Sequence, residues 1–371
     1  MRDFLPLYSR GADGPAWESF SCACAIRALP GTARPPREGH VDHMGEREGT
    51  VTAVDVLKAK KVIDGRVVRT PLTYSEGLST ASGAEVHVKW ENLQRTGSYK
   101  PRGALYRMSL LTREEMARGV VAASAGNWAL GVALGAQALG VRATICVPEN
   151  TPRVKVERCR ALGAEVVLHG RYFDEAFAHS QEIVASTGAT FVSGTDDHDV
   201  FAGHGTVGVE LLEDLPDVGT IVCPVGGGGL LTGISVWAKT VNPSIRVVGV
   251  QSTAASTLHE CFRARRLVEV PVPPTVCEGL AGGITQLNLD LALRWFDDVV
   301  LADEARLMDA IMWVLRNERQ VVEGSAAVGP GAILQRKLAF GKGDKVAVVV
   351  SGGNIDMDRL GLPDGPPATG H

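Results

Sequence analysis

Four short segments of the sequence combine glycine with side chains that can do chemistry. Their letters are RTGSYKPRG at 95–103, SAGN at 124–127, GGGGL at 226–230 and SGGN at 351–354. The four consecutive glycines let backbone N–H groups converge where a helix begins, and such a nest binds anions. Because neither a Gly-Lys-Ser/Thr sequence nor a G-x-G-x-x-G spacing occurs there, a phosphate is favoured over a dinucleotide. A tight strand-to-helix turn is the alternative, although one or two glycines would be enough for it.

The lysine of the first segment, Lys100, precedes Pro101 where a helix is predicted to begin. Desolvation and the positive end of the helix both favour the neutral amine. A neutral amine can form an imine with an aldehyde cofactor. Considered alone, such a lysine is more often a solvated side chain at a helix end.

The second and fourth segments each have a chemical and a structural interpretation. The residues from Ser124 to Asn127 follow a predicted strand. They can cap a helix or, through their N–H groups and the Asn127 side chain, cradle a carboxylate. Ser351 also follows a predicted strand, so it is either a turn residue or a neutral hydrogen-bond partner for a ring nitrogen.

Continuous apolar strands that alternate with helices predict a mostly parallel sheet covered on both faces. The predicted strands are 85–90, 120–124, 142–147, 165–168, 220–225, 246–250 and 345–350. The predicted helices are 51–62, 101–111, 127–139, 153–162, 173–185, 230–240 and 304–318. Ligands of such sheets bind at the carboxyl ends of the strands, and three of the four segments lie at predicted strand ends.

Composition and charge limit the class of protein. The chain has 371 residues, which is enough for two domains, and its net charge of −4 argues against a nucleic-acid or anionic-membrane partner. No apolar stretch is long enough to cross a membrane. Seven scattered cysteines without C-x-x-C spacing predict neither a disulfide framework nor a zinc site. They favour a reducing compartment, and we predict a cytoplasmic location.

The N-terminal 49 residues differ in composition from the rest of the chain. They are rich in Gly, Pro, Arg and Ser and lack a sustained hydrophobic period, which predicts a disordered extension. Met44 is an alternative start, and interspersed acidic residues disfavour a transit peptide. Residues 361–371 are predicted to be a C-terminal tail.

Taken in order along one α/β chain, TGSYKPRGA, SAGN, PVGGGGL, VEGSAA and SGGN resemble the motifs of the fold type II pyridoxal-phosphate enzymes. Within that class the sequence is similar to the threonine/serine dehydratase (ammonia-lyase) family, over residues 51–360 or so. The resemblance implies the tryptophan synthase β-like fold, with two domains that contain twisted, mostly parallel sheets. It implies a large cofactor-binding domain of residues 50–119 and 197–360 and a small mobile domain of residues 120–196.

The resemblance also assigns roles to residues of the motifs. Lys100 is the implied covalent anchor of pyridoxal 5'-phosphate and the catalytic group. Asn127 is implied to contact the phenolic oxygen of the cofactor, Ser351 its pyridine nitrogen, and Glu323 to lie near its ring. The implied phosphate-binding residues are Gly226, Gly227, Gly228, Gly229 and Leu230. The implied substrate-carboxylate residues are Ser124, Ala125, Gly126 and Asn127.

The activity implied is conversion of a β-hydroxy amino acid, with L-threonine or L-serine favoured, to a 2-keto acid and ammonia. A larger substrate, such as phenylserine, 3-hydroxyaspartate or a hydroxyectoine-derived amino acid, is the alternative. Trp128 stands where the family usually has histidine, so it either belongs to the core or reshapes the pocket. The segment 319–324 resembles the hydroxyectoine branch, and His204 replaces the glutamine of the family's AGQGT motif.

Two further functions compete with this interpretation. A racemase of the family carries a serine where this chain has Ala125, and a methyl group cannot carry a proton. Such racemases also have an acidic metal ligand at the position of Gln251, so we predict no metal site. A catalytically silent sensor of the cofactor or an amino acid is disfavoured because Lys100 is present. The resemblance further implies a homodimer whose only other partner is its amino-acid substrate.

Overall fold

Strands and helices alternate along residues 50–361, the part of the chain that this computed structural model describes. The predicted N-terminal extension and nearly all of the predicted C-terminal tail lie outside the described residues. The strands are β1 (Leu72–Tyr74), β2 (Glu85–Trp90), β3 (Val120–Ala123), β4 (Ala143–Val147), β5 (Glu165–Leu168), β6 (Thr190–Phe191), β7 (Thr220–Pro224), β8 (Arg246–Ser252), β9 (Asp298–Ala302) and β10 (Lys345–Val350). The helices are α1 (Ala53–Ile63), α2 (Glu76–Ser82), α3 (Lys100–Ser109), α4 (Arg113–Arg118), α5 (Asn127–Leu139), α6 (Arg153–Ala161), α7 (Phe173–Thr187), α8 (His198–Asp214), α9 (Gly229–Val241), α10 (Thr257–Ala264), α11 (Gln286–Trp295), α12 (Leu307–Glu318) and α13 (Gly324–Leu334).

The strands form two sheets, which we call the large sheet and the small sheet. The large sheet has the order β1-β2-β10-β7-β8-β9, and β1 alone runs antiparallel to its neighbour. The small sheet has the order β5-β4-β3-β6 and is parallel throughout. The predicted α/β fold with mostly parallel sheets is therefore confirmed. The strands of the small sheet all fall within the predicted small domain, whose boundaries stay a prediction.

Both faces of the large sheet are covered. Along β10, Val346, Val348 and Val350 pack into one hydrophobic cluster. Ala347 and Val349 face the opposite side and pack into another. This explains why the central strands are continuous apolar runs, since neither face is left for polar side chains.

Helix α3 is fixed in place by close helix packing. An added Cβ at Gly131 of α5 would lie 3.0 Å from the Lys100 carbonyl carbon, so any larger residue there would press on the start of α3. An added Cβ at Gly233 of α9 would lie 2.1 Å from the carbonyl oxygen of Phe201 in α8. The glycines thus bring the four helices α3, α5, α8 and α9 into backbone contact.

A buried network of four charged side chains fixes the loop between β2 and α3. Arg102 donates to both carboxylate oxygens of Glu91 at 2.8 Å and to those of Glu210 at 2.7 and 2.9 Å. Lys89 donates to Glu210 at 2.8 Å. Burial raises the pKa of Glu210, but Arg102 and then Lys89 outweigh it, so the pKa lies below its usual value. The two positive and two negative charges balance, as buried charges must.

Candidate active site

Three strand ends of the large sheet bring the first, third and fourth segments together. Because β10 lies between β2 and β7 and runs parallel to both, the residues that follow these strands meet at one edge. The Tyr99 N–H donates to the Ser351 carbonyl at 3.1 Å, and the Gly353 N–H donates to the Gly97 carbonyl at 2.8 Å. Lys100 is therefore held directly beside Ser351.

The tetraglycine segment forms the start of α9. Gly228 has a φ of +94°, which only glycine adopts without strain, and no side chain caps the helix. An added Cβ at Gly229 would lie 2.7 Å from the Phe201 ring, whereas at Gly227 it would find no protein atom closer than 3.7 Å. An alanine at position 227 would therefore make only ordinary contacts, with the Asn288 side chain and the Thr195 carbonyl oxygen. Leu230 is buried in the core behind the loop.

Lys100 is the first residue of α3, and Pro101 follows it in the first turn as predicted. The side chain is partly buried. Its Nζ lies 4.9 Å from the centroid of the Tyr99 ring and 5.7 Å from that of Trp128. The amine therefore lies against aromatic surface, close to the strand end that carries Ser351.

Trp128 belongs to the core and also borders the site. Its ring is 7% exposed, and its Nε1 donates to the Val192 carbonyl at 3.1 Å. Gly194 makes room for it, since an added Cβ there would lie 2.7 Å from the ring. The two interpretations of Trp128 from the sequence are thus compatible.

The SAGN segment joins β3 to α5 and faces the same cleft. Gly126 begins α5 without a side-chain cap, and nothing lies within 4 Å of a Cβ added there. The Ser124 hydroxyl accepts from the Gly126 N–H at 3.3 Å. Ala125 is partly buried and packs its methyl group against the core of the small sheet. The first N–H groups of α5 are therefore free to bind an anion.

Asn127 and Glu323 are in direct contact although 196 residues separate them in sequence. The Asn127 Nδ2 donates to the Glu323 Oε1 and Oε2 atoms at 2.8 and 3.1 Å. Burial raises the pKa of the Glu323 carboxyl above its usual value, although the bond from Asn127 and the charge of Lys100 oppose the rise. Glu323 therefore stays protonated to a higher pH than an exposed glutamate.

Sequence reasoning missed two contributors to this site. Asn354 belongs to the SGGN motif and has no role assigned from the sequence, but its Nδ2 donates to the Asn127 Oδ1 at 2.7 Å. His204 is 1% exposed and packs edge-to-face on Tyr99 with ring centroids 4.6 Å apart. Burial, then Lys100 and Arg102, hold the pKa of His204 well below its usual value. The exchange of glutamine for histidine in AGHGT was the signal for His204; none pointed to Asn354.

Gln251 lies at the end of β8 and is fully buried. Its Oε1 accepts from the His259 N–H at 2.8 Å, so the amide is used in packing. Within residues 50–361 no cluster of three or more His, Cys, Asp or Glu side chains is arranged to hold a metal ion. No helix in that range has the length and apolar character needed to span a bilayer.

Comparison with known proteins agrees with this geometry. Residues 63–352 match the model of the family described as pyridoxal-phosphate dependent enzyme. An L-threonine ammonia-lyase of Thermotoga maritima is 45% identical over 84% of this chain and 77% of its own length. The catabolic L-threonine dehydratase of Escherichia coli is 37% identical over 82% of this chain and 94% of its own.

Solved structures agree as well. Maize serine racemase superposes with a TM-score of 0.81 at 30% identity, covering 84% of this chain and 96% of that one. The processed form of threonine deaminase isoform 2 from Solanum lycopersicum superposes with a TM-score of 0.78 at 34% identity, covering 83% and 85%. The chain therefore belongs to the pyridoxal-phosphate dependent enzymes, in their fold type II class.

Proposed function

We propose that this protein is a pyridoxal-phosphate dependent ammonia-lyase that converts L-threonine, and L-serine as a second substrate, to a 2-keto acid and ammonia. One observation carries the proposal: the Lys100 amine, the uncapped glycine start of α9 and Ser351 share one edge of the large sheet. The two curated relatives that act on L-threonine support the choice of substrate. A homodimer in the cytoplasm stays a prediction.

The residues present fit the cofactor group by group. Its aldehyde needs an amine, which is Lys100, and its phosphate needs converging N–H groups, which Gly226 to Leu230 supply. No side chain caps α9, so the N–H groups at its start have no side-chain acceptor and could donate to a bound phosphate. Ser351 would hold the ring nitrogen and Asn127 the phenolic oxygen.

The cofactor, when bound, supplies an electron sink for the electron pair left on the substrate Cα. The chain supplies the proton transfer. When the Lys100 Nζ is not bonded to the cofactor, it can remove the proton from the substrate Cα. The proton and the β-hydroxyl leave as water, and one water is consumed as ammonia departs, so threonine balances against 2-ketobutyrate and ammonia.

Ser351 directs the outcome of that proton transfer. Its hydroxyl is a neutral partner that, unlike a carboxylate, does not hold a proton on the ring nitrogen. Charge on the substrate Cα is then stored less effectively, which favours loss of the β-hydroxyl over transamination. The uncapped N-terminus of α5, from Ser124 to Asn127, would orient the substrate by its carboxylate.

Ala125 separates this proposal from racemisation. Serine racemases are among the structural neighbours, so the fold alone does not decide between the reactions. Racemisation needs an acid on the face of the ring opposite Lys100, and a methyl group has no proton to give.

Release of keto acid from a panel of β-hydroxy amino acids tests the proposal. The purified protein should absorb visible light as a covalently bound cofactor does and should release 2-ketobutyrate from L-threonine. Phenylserine and 3-hydroxyaspartate should react more slowly. Colour without turnover of any β-hydroxy amino acid would instead identify a sensor.

A further inference from the structure

A chain of hydrogen bonds crosses between the small-sheet and large-sheet sides of the cleft three times. Arg158 on α6 donates through Nη1 to the Asn354 Oδ1 at 2.9 Å. Asn354 donates through Nδ2 to the Asn127 Oδ1 at 2.7 Å. Asn127 in turn donates to Glu323 at 2.8 Å. This series of hydrogen bonds therefore runs from the exposed Arg158 guanidinium at the mouth of the cleft to the buried Glu323 carboxyl inside it.

Each donor in this series points toward Glu323, and this direction fixes the orientations of the Asn354 and Asn127 amides. The Asn354 Nδ2 faces two oxygens, since it also donates to the Thr96 carbonyl at 2.8 Å. Its Oδ1 faces only the guanidinium of Arg158. Turning the Asn354 amide over would set its oxygen against both of those acceptors, and bonds in such a chain polarise one another.

The loop that carries Asn354 is held by backbone hydrogen bonds. It is pinned to the loop before α3 by the backbone bonds of Tyr99 and Gly353 described above. Gly97, with a φ of +77°, leaves room for it, because an added Cβ there would lie 2.6 Å from the Asn354 Oδ1. Asn354 is thus placed by the large sheet, whereas Arg158 and Asn127 lie on helices α6 and α5 of the small-sheet side.

Arg158 makes two contacts, one through each terminal nitrogen of its guanidinium. Its Nη2 donates to the Thr96 carbonyl at 3.3 Å while its Nη1 binds Asn354. One turn earlier on α6, Lys155 lies 3.5 Å from Asp356. One face of α6 is therefore held against the loops of the large-sheet side that border Lys100.

We infer that Arg158 and Asn354 are positioning residues, which set the Asn127 amide against Glu323 when the small sheet is drawn onto the large one. They touch neither substrate nor cofactor and act through Asn127. The inference rests on the proposed function, because Asn127 matters only if the cleft is a catalytic site. In this arrangement substrate binding and placement of the small sheet are coupled.

The test compares R158A with R160A in the holoenzyme. Arg160 lies on the same helix and is exposed, and it forms a long ion pair of 4.0 Å with Glu157, so it controls for loss of charge. R158A should raise the KM for L-threonine about fivefold with little change in kcat, the size expected of an exposed charged contact. R158K, which keeps one of the two bonds, should be intermediate.

A second variant reaches Asn127 more directly. N354D keeps an acceptor for Arg158 but removes the donor to Asn127, so kcat should fall and the absorbance of the bound cofactor should shift. A merely structural loss would lower the unfolding temperature of N354D without shifting the absorbance of the bound cofactor.

Amide hydrogen exchange of the holoenzyme tests the inference without a measurement of turnover. R158A should speed exchange in α6 and in residues 351–356 relative to R160A, even if the wild-type protein fails to act on L-threonine. That failure would overturn the proposed function alone. Equal KM values and equal exchange in R158A and R160A would overturn the inference.

Discussion

The large sheet and the small sheet border the same cleft but differ in how their strands are buried. All five residues of β7 are buried, whereas β5, at the edge of the small sheet, has no buried residue. Lys100, the glycine loop and Ser351 are placed by the large sheet. The SAGN segment follows β3 of the small sheet.

The two sides of the cleft also hold their site residues in place by different kinds of contact. On the large-sheet side, backbone bonds between adjacent loops and packed glycines fix the groups proposed to grip the cofactor. On the small-sheet side, the groups proposed to bind the substrate are joined to the rest through polar side chains such as Arg158 and Asn127. Tight packing suits a permanent ligand, and exchangeable polar contacts suit a ligand that enters and leaves.

The largest expected effect comes from Lys100 on the fixed side. K100A should abolish turnover, by about a thousandfold or more, together with the visible absorbance of the covalently bound cofactor. K100R keeps the positive charge but cannot bond to the aldehyde, so it should fail equally. Absorbance spectra and keto-acid release measure both effects. Substantial activity in either variant would remove Lys100 from the mechanism.

A substitution at Gly227 tests cofactor affinity separately from folding. An added Cβ meets no protein atom closer than 3.7 Å, so G227A should fold normally, and the methyl group should crowd the neighbouring N–H groups proposed to hold the phosphate. The dissociation constant for pyridoxal 5'-phosphate should rise about tenfold to a hundredfold, the loss of one or two bonds to a charged group. Fluorescence titration of the cofactor-free protein measures it.

G283A is the control for Gly227, because no protein atom lies within 4 Å of a Cβ at position 283 and the φ of Gly283 is not in the left-handed region. It should leave cofactor affinity unchanged. If G227A and G283A bound the cofactor equally well, the phosphate would lie elsewhere.

The sequence predicted the strand ends well because the large sheet is buried on both faces. All seven predicted strands are present, each within two residues of its predicted ends. A run such as KVAVVV at 345–350 is typical of a covered strand, and polar residues follow it. The position of Ser351 and the glycines at strand ends could therefore be predicted from the sequence, whereas their roles stay a prediction.

Two helices that are buried over most of their length, α8 and α13, are not predicted from the sequence. Helix α13 contains three glycines and Pro330, and all but its last residue are buried. Helix α8 is buried over most of its length as well. With no polar face, α13 does not show the 3.6-residue period on which sequence reasoning depends. The predicted helix 304–318 is also interrupted, since Glu304–Arg306 is a separate 3₁₀ turn before α12.

The polar links across the cleft could not be predicted because they depend on distance, not on residue type. Arg158 and Asn354 are 196 residues apart, and an exposed arginine on a helix has no special signature. The same holds for Asn127 and Glu323, which the resemblance placed near the cofactor without showing that they touch.

Ala125 offers a smaller test on the small-sheet side. A125S should introduce slow racemisation of L-serine, because the new hydroxyl can carry a proton on the face opposite Lys100. Chiral chromatography of the serine recovered from the assay measures it, and keto-acid release should change little. A complete absence of D-serine would show that position 125 does not face the substrate Cα.

The smallest expected effect is a pH dependence of stability from His204, deep on the fixed side. Its pKa is lower in the folded protein than the ordinary value of 6.5, so the unfolded chain binds more protons as the pH falls below that value. The free energy of unfolding should then decrease by up to about 1.4 kcal/mol per pH unit below pH 6.5. H204Q cannot titrate and should lose this part of the slope, which urea unfolding between about pH 5 and pH 7 measures. An unchanged slope would mean that His204 is protonated inside the fold, and the aromatic contact with Tyr99 would then need a different explanation.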